Sequence, residues 1–298
     1  MKQLIPAFQK DQALLADIEA ARLQPGHLHV WWLGQSGFLL QWEGRHLLFD
    51  PYLSDSLTRK YAGTDKPHVR MSERVVAPER LTMIDLVTSS HNHTDHLDAE
   101  TLQPLFAAGP TAQFIIPEAN RAFVTERLRC DPAFPLGLND GQTVSVAGFT
   151  VHGVPAAHNA LERDEQGRCR FMGFVVQAGP WSVYHSGDTL WYDGMEDVLK
   201  PFAVDIAFLP INGNKPERRV AGNLNPEEAA RLGRVIGAGL VIPHHYHLFE
   251  FNTEDPEHFV REAGRQGTPY RVLRPGERWS GRKDSGRTLE NGPPIAEY

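Results

Sequence analysis

The chain has 298 residues, and its 41% hydrophobic and 22% charged residues are ordinary for a globular protein, which argues against a disordered or fibrous one. The formal net charge is −7, and no run of basic residues is longer than a pair such as Arg218-Arg219, which argues against a nucleic-acid partner. Cys130 and Cys169 are far apart in the sequence. That spacing argues against a disulfide framework and against a cysteine-based zinc site.

The first residues, MKQLIPAFQKDQALL, interrupt their apolar run with polar residues from Gln9 to Asp11. No segment of the chain approaches the roughly 18 consecutive apolar residues of a membrane span. We therefore expect a cytoplasmic protein with neither a signal peptide nor a membrane span. The sequence leaves the oligomeric state open, a homo-oligomer included.

The first half of the chain predicts a helix followed by a strand meander. Apolar residues recur at helical intervals between Leu14 and Leu23, and Pro25-Gly26 ends the pattern, so we predict a helix over 11–23. Turn residues separate the β-rich runs that follow, HLHVWWL, GFLLQW, HLLFD and IDLVTSS. After the last of these, Asp98 is placed to cap a further helix.

The second half repeats this theme. Its predicted strands are VSVAGFTVHGV, CRFMGFVVQAG, WSVYH, VDIAFLP and LVIP. A helix over 225–238 precedes the last strand, and Asn225-Pro226-Glu227-Glu228 supplies its N-cap, a proline in its first turn and acidic residues. Two comparable halves of strands and helices predict an α/β fold in which two packed sheets have helices outside.

No linker-like segment divides the chain, so we predict one large domain over residues 28–279. Residues 1–27 are predicted to be a helical extension before it. Residues 280–298 are polar and rich in glycine and proline, which predicts a loose C-terminal tail.

The segment HNHTDH at 91–96 carries the clearest chemistry. Extended backbone alternates sides, so His91 and His93 project the same way and can share one ion. Asp95 and His96 follow where the chain turns toward the helix, and they can serve a second ion beside the first. Imidazole and carboxylate are the usual nitrogen and oxygen donors for first-row metals.

Two ions need further donors, and three later strands each end at one. His158 follows FTVHGV, Asp188 follows WSVYH, and His245 follows LVIP. Each residue alone has an ordinary alternative as a loop or core residue, because turns favour aspartate and glycine for local reasons. Their order after the first cluster favours a shared metal site.

The ordered set FDP, HNHTDH, VPAAH, SGD and IPHHY resembles the metallo-β-lactamase superfamily over roughly residues 28–262. The resemblance implies a four-layer αββα sandwich with two metal ions at one edge. It implies that one ion is bound by His91, His93 and His158, and the other by Asp95, His96 and His245. Asp188 would bridge the ions. Asp50, in LLFDP, would support the ligands from behind, and the Pro-x-His pattern selects His245 over His244 as the ligand.

Within the superfamily, the stretches QPGHLHVWWLGQSGFLL and VIPHHYHLFEFNTEDPEHF are similar to the branch of L-ascorbate-6-phosphate lactonase. That likeness implies a small anionic substrate. Lys215 and Arg218 follow the strand VDIAFLP, so we predict that they contact such a substrate. Tyr246 and His244 are candidates for a general acid because they lie beside a ligand.

The resulting hypothesis is hydrolysis by a hydroxide that bridges two divalent ions, zinc or manganese, with iron also compatible with the donors. Asp95 would both ligate and orient this nucleophile. The substrate would be a small ester, lactone or phosphoester. The alternatives are a mononuclear iron oxidoreductase of the persulfide-dioxygenase type, a phosphodiesterase or nuclease, and a metal-binding protein without catalytic activity. The remaining histidines, His68 among them, are interpreted as structural or solvated.

Overall fold

The computed structural model describes residues 3–283, and its strands form two mixed sheets. The strands of the first sheet are β1 (His27–Gly34), β2 (Gly37–Trp42), β3 (Arg45–Phe49), β4 (Leu86–Thr88), β5 (Gln113–Pro117), β6 (Leu136–Leu138) and β13 (Arg278–Arg282). Their order across the sheet is β13-β1-β2-β3-β4-β5-β6.

The second sheet contains the strands from the later part of the chain, β7 (Thr143–Val146), β8 (Phe149–Pro155), β9 (Met172–Ala178), β10 (Trp181–His185), β11 (Ile206–Pro210) and β12 (Leu240–His244). Their order is β12-β11-β10-β9-β8-β7. The α-helices of the described residues are α1 (Asp11–Ala21), α2 (Ser56–Lys60), α3 (Ala99–Ala108), α4 (Arg121–Leu128), α5 (Met195–Leu199), α6 (Pro226–Val235) and α7 (Pro256–Gln266).

The hydrophobic core has two parts, and strand alternation assigns residues to them. In β1, Val30 and Trp32 belong to the core between the sheets, whereas Trp31 and Leu33 belong to the core beneath the outer helices. Phe38 of the first sheet stacks on Phe208 of the second at a ring-centroid distance of 4.0 Å. Helices α1, α3 and α4 cover the first sheet, and α6 and α7 cover the second. The predicted α/β sandwich of four layers, helix-sheet-sheet-helix, is confirmed.

Strand directions explain where the polar strand ends gather. In the first sheet β1, β3, β4 and β5 run in the same direction, because β1 and β3 are each antiparallel to β2 and because β3, β4 and β5 are parallel. In the second sheet β8, β10, β11 and β12 likewise share one direction. The carboxyl ends of strands with a common direction lie at one edge of their sheet.

Both predicted domain boundaries fall inside strands of the first sheet. His27 begins β1, and helix α1 buries Leu14 and Ile18 in the outer core, so this segment packs as part of the sandwich. Ser280 lies in β13, where it pairs with His29 on β1. Residues 280–282 therefore complete a sheet, while residues 284–298 of the predicted tail lie outside the described residues.

The helix starts follow the predicted caps in part. Asn225 and Glu228 form the reciprocal capping box of α6, as the sequence predicts. Asp98 stands at the start of α3, but its carboxylate accepts hydrogen bonds from Thr101 Oγ1 at 2.6 Å and Ser56 Oγ at 2.9 Å, and from no backbone N–H of the helix. None of the helices within residues 3–283 is long and apolar enough to cross a membrane.

Candidate metal centre

The candidate ligands all follow the carboxyl ends of strands that share a direction. The segment 91–96 follows β4, and His158, Asp188 and His245 follow β8, β10 and β12. The two sheets pack face to face, so these strand ends meet at one edge of the sandwich. The meeting of side chains from four separate segments is thus a direct result of strand direction.

The first group of donors consists of His91, His93 and His158, each with a ring nitrogen within 4.8 Å of the others. His158 Nε2 lies 3.1 Å from His93 Nδ1. The other ring nitrogen of His158 is 2.8 Å from the carbonyl oxygen of Gly222, which fixes Nδ1 as the protonated atom and leaves Nε2 with a free lone pair.

The second group consists of Asp95, His96 and His245, whose donor atoms also lie within 4.8 Å of one another. Asp188 lies against both groups. Its Oδ2 is 3.3 Å from His245 Nε2 and 3.5 Å from His158 Nε2, and its Oδ1 is 3.3 Å from His96 Nε2. The Asp188 carboxylate therefore has the position that a ligand shared between two ions needs.

These residues fit divalent ions. Zinc–nitrogen bonds of about 2.0–2.1 Å in a tetrahedron separate the donors by about 3.4 Å, close to the distances around Asp188. His91 Nε2, His96 Nε2 and Asp188 Oδ1 are buried and have no hydrogen-bond partner. Buried polar atoms are normally paired, so these unpaired atoms within the donor cluster fit a site that binds cations.

The charge states also suit metal ligation. Burial, reinforced by the neighbouring His158, lowers the pKa of His93 to about 4, and burial lowers the pKa of His91 well below its usual value. Both imidazoles are therefore neutral near pH 7, the form that donates a lone pair. Burial opposes a charge on His96 as well, but the Asp188 and Asp95 carboxylates raise its pKa well above the usual value. The Asp188 and Asp95 carboxylates therefore attract positive charge to the space beside His96.

Asp50 lies behind the second group and is fully buried. Its Oδ2 is 2.7 Å from His96 Nδ1, so the other ring nitrogen of His96 faces the cluster. Ser90 donates its backbone N–H to Oδ1 at 3.0 Å and its hydroxyl to Oδ2, and Thr88 Oγ1 is 3.4 Å from Oδ1. Asp50 is also close enough to His91 and His96 to count as a donor. Because its oxygens already accept these hydrogen bonds, the geometry favours a supporting role.

Gln35 is a site residue that the sequence interpretation missed. It follows the carboxyl end of β1 and is buried, and its Nε2 donates to Asp95 Oδ2 at 2.8 Å and lies 3.0 Å from His245 Nε2. The backbone carbonyl oxygen of Gln35 accepts a hydrogen bond from the backbone N–H of His245 at 3.1 Å. The signal was available, since Gln35 is a polar residue at a strand end, but the GQSG segment also reads as an ordinary turn.

We predict that Gln35→Ala lowers metal affinity and turnover by about tenfold, the lower range for loss of a residue that orients ligands. The physical reason is that Asp95 and His245 lose the group that links them. Isothermal titration with Zn²⁺ and initial rates check this. Gln103→Ala is the matched control, because the Gln103 amide bonds the carbonyl oxygen of Leu128 on another part of the surface. Unchanged zinc affinity in Gln35→Ala would remove Gln35 from the site.

A cleft of about 470 Å³ opens over the donors, and His93, Asp95, His158, Asp188 and His245 form part of its lining. Its size is that of a small-molecule site. The cleft is also lined by residues that the sequence did not link to the site. The basic ones are Lys60, Lys66 and Arg127, and the aromatic ones are Tyr61, His68, Phe249 and Phe251. His68, interpreted from the sequence as structural or solvated, therefore belongs to the cleft wall.

The structure does not bring the two candidate general acids to the cleft. His245 lines the cleft, but neither His244 nor Tyr246 is among its lining residues. The Tyr246 hydroxyl donates to the carbonyl oxygen of Leu273 at 2.5 Å, and its ring stacks on Trp32. His244 is fully buried and stacks on His185 at a centroid distance of 5.2 Å.

Lys215 and Arg218 also lie apart from the cleft lining. Lys215 Nζ pairs with Glu254 at 2.8 Å. The Arg218 guanidinium donates to the carbonyl oxygens of Asn212 and Thr253, at 2.5 and 2.7 Å, and so fastens its own loop. The structure thus gives these two predicted substrate contacts no place in the cleft, because neighbouring groups hold both side chains elsewhere. The loop instead contributes Val220 and Ala221 to the cleft.

Comparison with known proteins agrees with this arrangement. Residues 45–246 match the family model described as the beta-lactamase superfamily domain. A solved structure of similar fold is Igni18, a metallo hydrolase from the hyperthermophilic archaeon Ignicoccus hospitalis, with a TM-score of 0.63 and 22% identity over 87% of this chain and all of that one. The chain is thus a protein of the metallo-β-lactamase fold.

Two curated relatives narrow the class. A UPF0173 metal-dependent hydrolase from Rubrobacter xylanophilus is 30% identical over 85% of this chain and 96% of its own length. One from Opitutus terrae is 29% identical over 84% of this chain and 98% of its own length. The chain belongs to this UPF0173 family of metal-dependent hydrolases.

Proposed function

We propose that this protein hydrolyses a small anionic ester, lactone or phosphoester with two divalent metal ions, zinc or manganese. One ion would be held by His91, His93 and His158 and the other by Asp95, His96 and His245, with Asp188 shared. The observation that carries the proposal is the convergence of buried, unpartnered donor atoms, His91 Nε2, His96 Nε2 and Asp188 Oδ1. The likeness to the lactonase branch supports an anionic substrate.

Divalent ions in such a site lower the pKa of water and polarise a carbonyl or phosphoryl oxygen. The chain's own residues orient the reactants. Asp95 lies at the cleft, and its Oδ2 accepts a hydrogen bond from Gln35. Its Oδ1 would accept a hydrogen bond from the attacking water and so orient it. Asp50 holds the His96 ring, and the carbonyl of Gly222 holds the His158 ring. These hydrogen bonds keep the two rings in place beside the cleft.

The UPF0173 relatives support hydrolysis over the iron-dependent oxidation considered from the sequence. The test uses protein stripped with a chelator and then reloaded separately with Zn²⁺, Mn²⁺ or Fe²⁺. Each form is assayed on 4-nitrophenyl acetate, γ-butyrolactone and bis(4-nitrophenyl) phosphate. We expect hydrolysis of at least one class, lost on stripping and restored by Zn²⁺ or Mn²⁺. Activity that survives stripping, or no hydrolysis by any reloaded form, would refute the proposal.

A further inference from the structure

The cleft has one wall built from flat, apolar side chains. Tyr61 stacks on His68 at a ring-centroid distance of 4.3 Å, and His68 meets Phe249 and Phe251 edge-on at 4.9 and 4.6 Å. Phe249 is buried in a small hydrophobic cluster behind this wall, to which Leu57 also belongs. These contacts join the four rings into one wall, which presents an apolar surface beside the donor atoms.

Two lysines line the same cleft, and their charges are not neutralised. Lys60 Nζ lies 5.2 Å from the centre of the Tyr61 ring, and Lys66 Nζ donates to the carbonyl oxygen of Arg219 at 2.5 Å. Neither ammonium forms an ion pair with a carboxylate of residues 3–283. Lys10, Lys215 and Lys283, by contrast, each pair with an acidic side chain.

The remaining charges of the cleft have the same sign or are already engaged. Among the residues that line it, the acidic ones are Asp95 and Asp188, which belong to the donor cluster. Arg127 also lines the cleft, and its guanidinium donates to the carbonyl oxygen of Asn92 at 2.6 Å. The chain has a formal net charge of −7. Its cleft nevertheless carries three cationic side chains and, apart from the donor cluster, no acidic residue among those that line it. Such a cleft concentrates anions.

We infer that the substrate is an anionic ester or lactone with a flat apolar body, which lies against the aromatic wall while its carboxylate or phosphate pairs with Lys60 and Lys66. This inference rests on the proposed function and names the substrate class of that site. The cleft, at about 470 Å³, has room for a body of at least one aromatic ring against the wall. The lysines contribute charge, and the wall contributes affinity that is independent of charge.

The test compares two ring compounds that differ in charge, 4-hydroxybenzoate and 4-hydroxybenzamide. Their binding to the zinc-loaded full chain is measured by isothermal titration. We expect the parent to prefer the benzoate and Lys60→Gln/Lys66→Gln to weaken benzoate binding about five- to tenfold, the scale of partly exposed ion pairs, without affecting the benzamide. The benzoate preference should also shrink as ionic strength rises. Lys215→Gln, whose parent side chain pairs with Glu254, should change neither affinity.

A second variant tests the wall. Phe251→Ala should weaken both compounds by a similar factor, because the ring packs against either body. Melting temperatures of all variants check that each is folded. The inference is overturned if the parent does not bind benzoate, if the lysine variant binds both compounds as the parent does, or if Phe251→Ala changes neither affinity. Benzoate binding that is lost on metal removal but unchanged in the lysine variant also overturns it, because the ions alone would then hold the anion.

Hydrolysis distinguishes this inference from the proposed function. The rates on 4-acetoxybenzoate and on its methyl ester are compared, since both carry the same acetyl group and differ in charge. We expect a lower KM for the anionic ester in the parent and no such preference in the lysine variant. Lysine-dependent benzoate binding without hydrolysis of any ester would support the binding site and contradict the hydrolase proposal. Hydrolysis without preference for the anion would support the hydrolase proposal and contradict the inferred anion site.

Discussion

Asp188→Ala is expected to lose at least one metal ion per chain and to abolish hydrolysis. The Asp188 carboxylate lies within 3.5 Å of His96, His158 and His245, so its removal takes a charged donor from both ligand groups at once. Asp95 would then be the one carboxylate left among the proposed ligands, and it would not balance the charge of two cations. Elemental analysis of the variant after dialysis against Zn²⁺, followed by initial rates, measures both effects.

The control for this result is His258→Ala, because His258 is half-exposed on α7 and pairs with Glu254 outside the cleft. That variant should retain parental metal content and rate. Asp188→Asn keeps the shape of the side chain and separates charge from packing, so it should also lose metal. An Asp188→Ala protein that keeps two ions and full activity would show that this carboxylate is not a ligand.

Asp50→Ala is expected to weaken metal binding or turnover by about 10- to 100-fold without abolishing either. The His96 ring would lose the acceptor that fixes its orientation, and the Ser90 backbone N–H would lose its buried partner. Zinc titration and kcat/KM measure the effect. An Asp50→Ala protein whose zinc affinity and kcat/KM equal those of the parent would refute the supporting role.

Asp85→Asn is the matched control for Asp50. Asp85 precedes β4 and therefore lies at the opposite end of that strand from His91, where its carboxylate pairs with Arg45 at 2.8 Å. This variant should lower stability slightly and leave zinc affinity unchanged. A loss of zinc affinity in both variants would point to general destabilisation of the sheet, and the melting temperatures would show it.

The local parts of the account could be predicted from the sequence. Strand alternation predicted that His91 and His93 lie together, and their ring nitrogens do, although residues 91–93 form bends beyond the end of β4. The positions of His158, Asp188 and His245 after predicted strands require no knowledge of the fold. The α6 cap is encoded within Asn225–Glu228 and was predicted for the same reason. These features depend on residues that are neighbours in the chain or on the single rule that polar residues follow strand ends.

Features that depend on tertiary contact were missed. The aromatic wall joins Tyr61 and His68 to Phe249 and Phe251, and no spacing in the sequence relates these segments. The polar composition of residues 280–298 predicted a tail, yet Ser280 pairs in a sheet because β1 supplies its partner.

The predicted anion contacts show the limit of reasoning from a loop's position alone. Lys215 and Arg218 follow a strand that ends at the site, but neither lines the cleft, because Lys215 pairs with Glu254 and the Arg218 guanidinium is held by two carbonyl oxygens. Lys60 and Lys66 lie in an ordinary polar segment and face the cleft without an acidic partner among residues 3–283. Whether a cation can reach a substrate depends on where its side chain lies and on whether a carboxylate pairs with it, and the sequence reveals neither.

Counting the metal ions tests the central claim most directly. Protein expressed and purified without added metal or chelator would be examined by inductively coupled plasma mass spectrometry against protein concentration from amino-acid analysis. The account predicts two divalent ions per chain in fully active protein, with a proportional fall in activity as a chelator removes them. Full hydrolytic activity in protein that contains no divalent ion would contradict it.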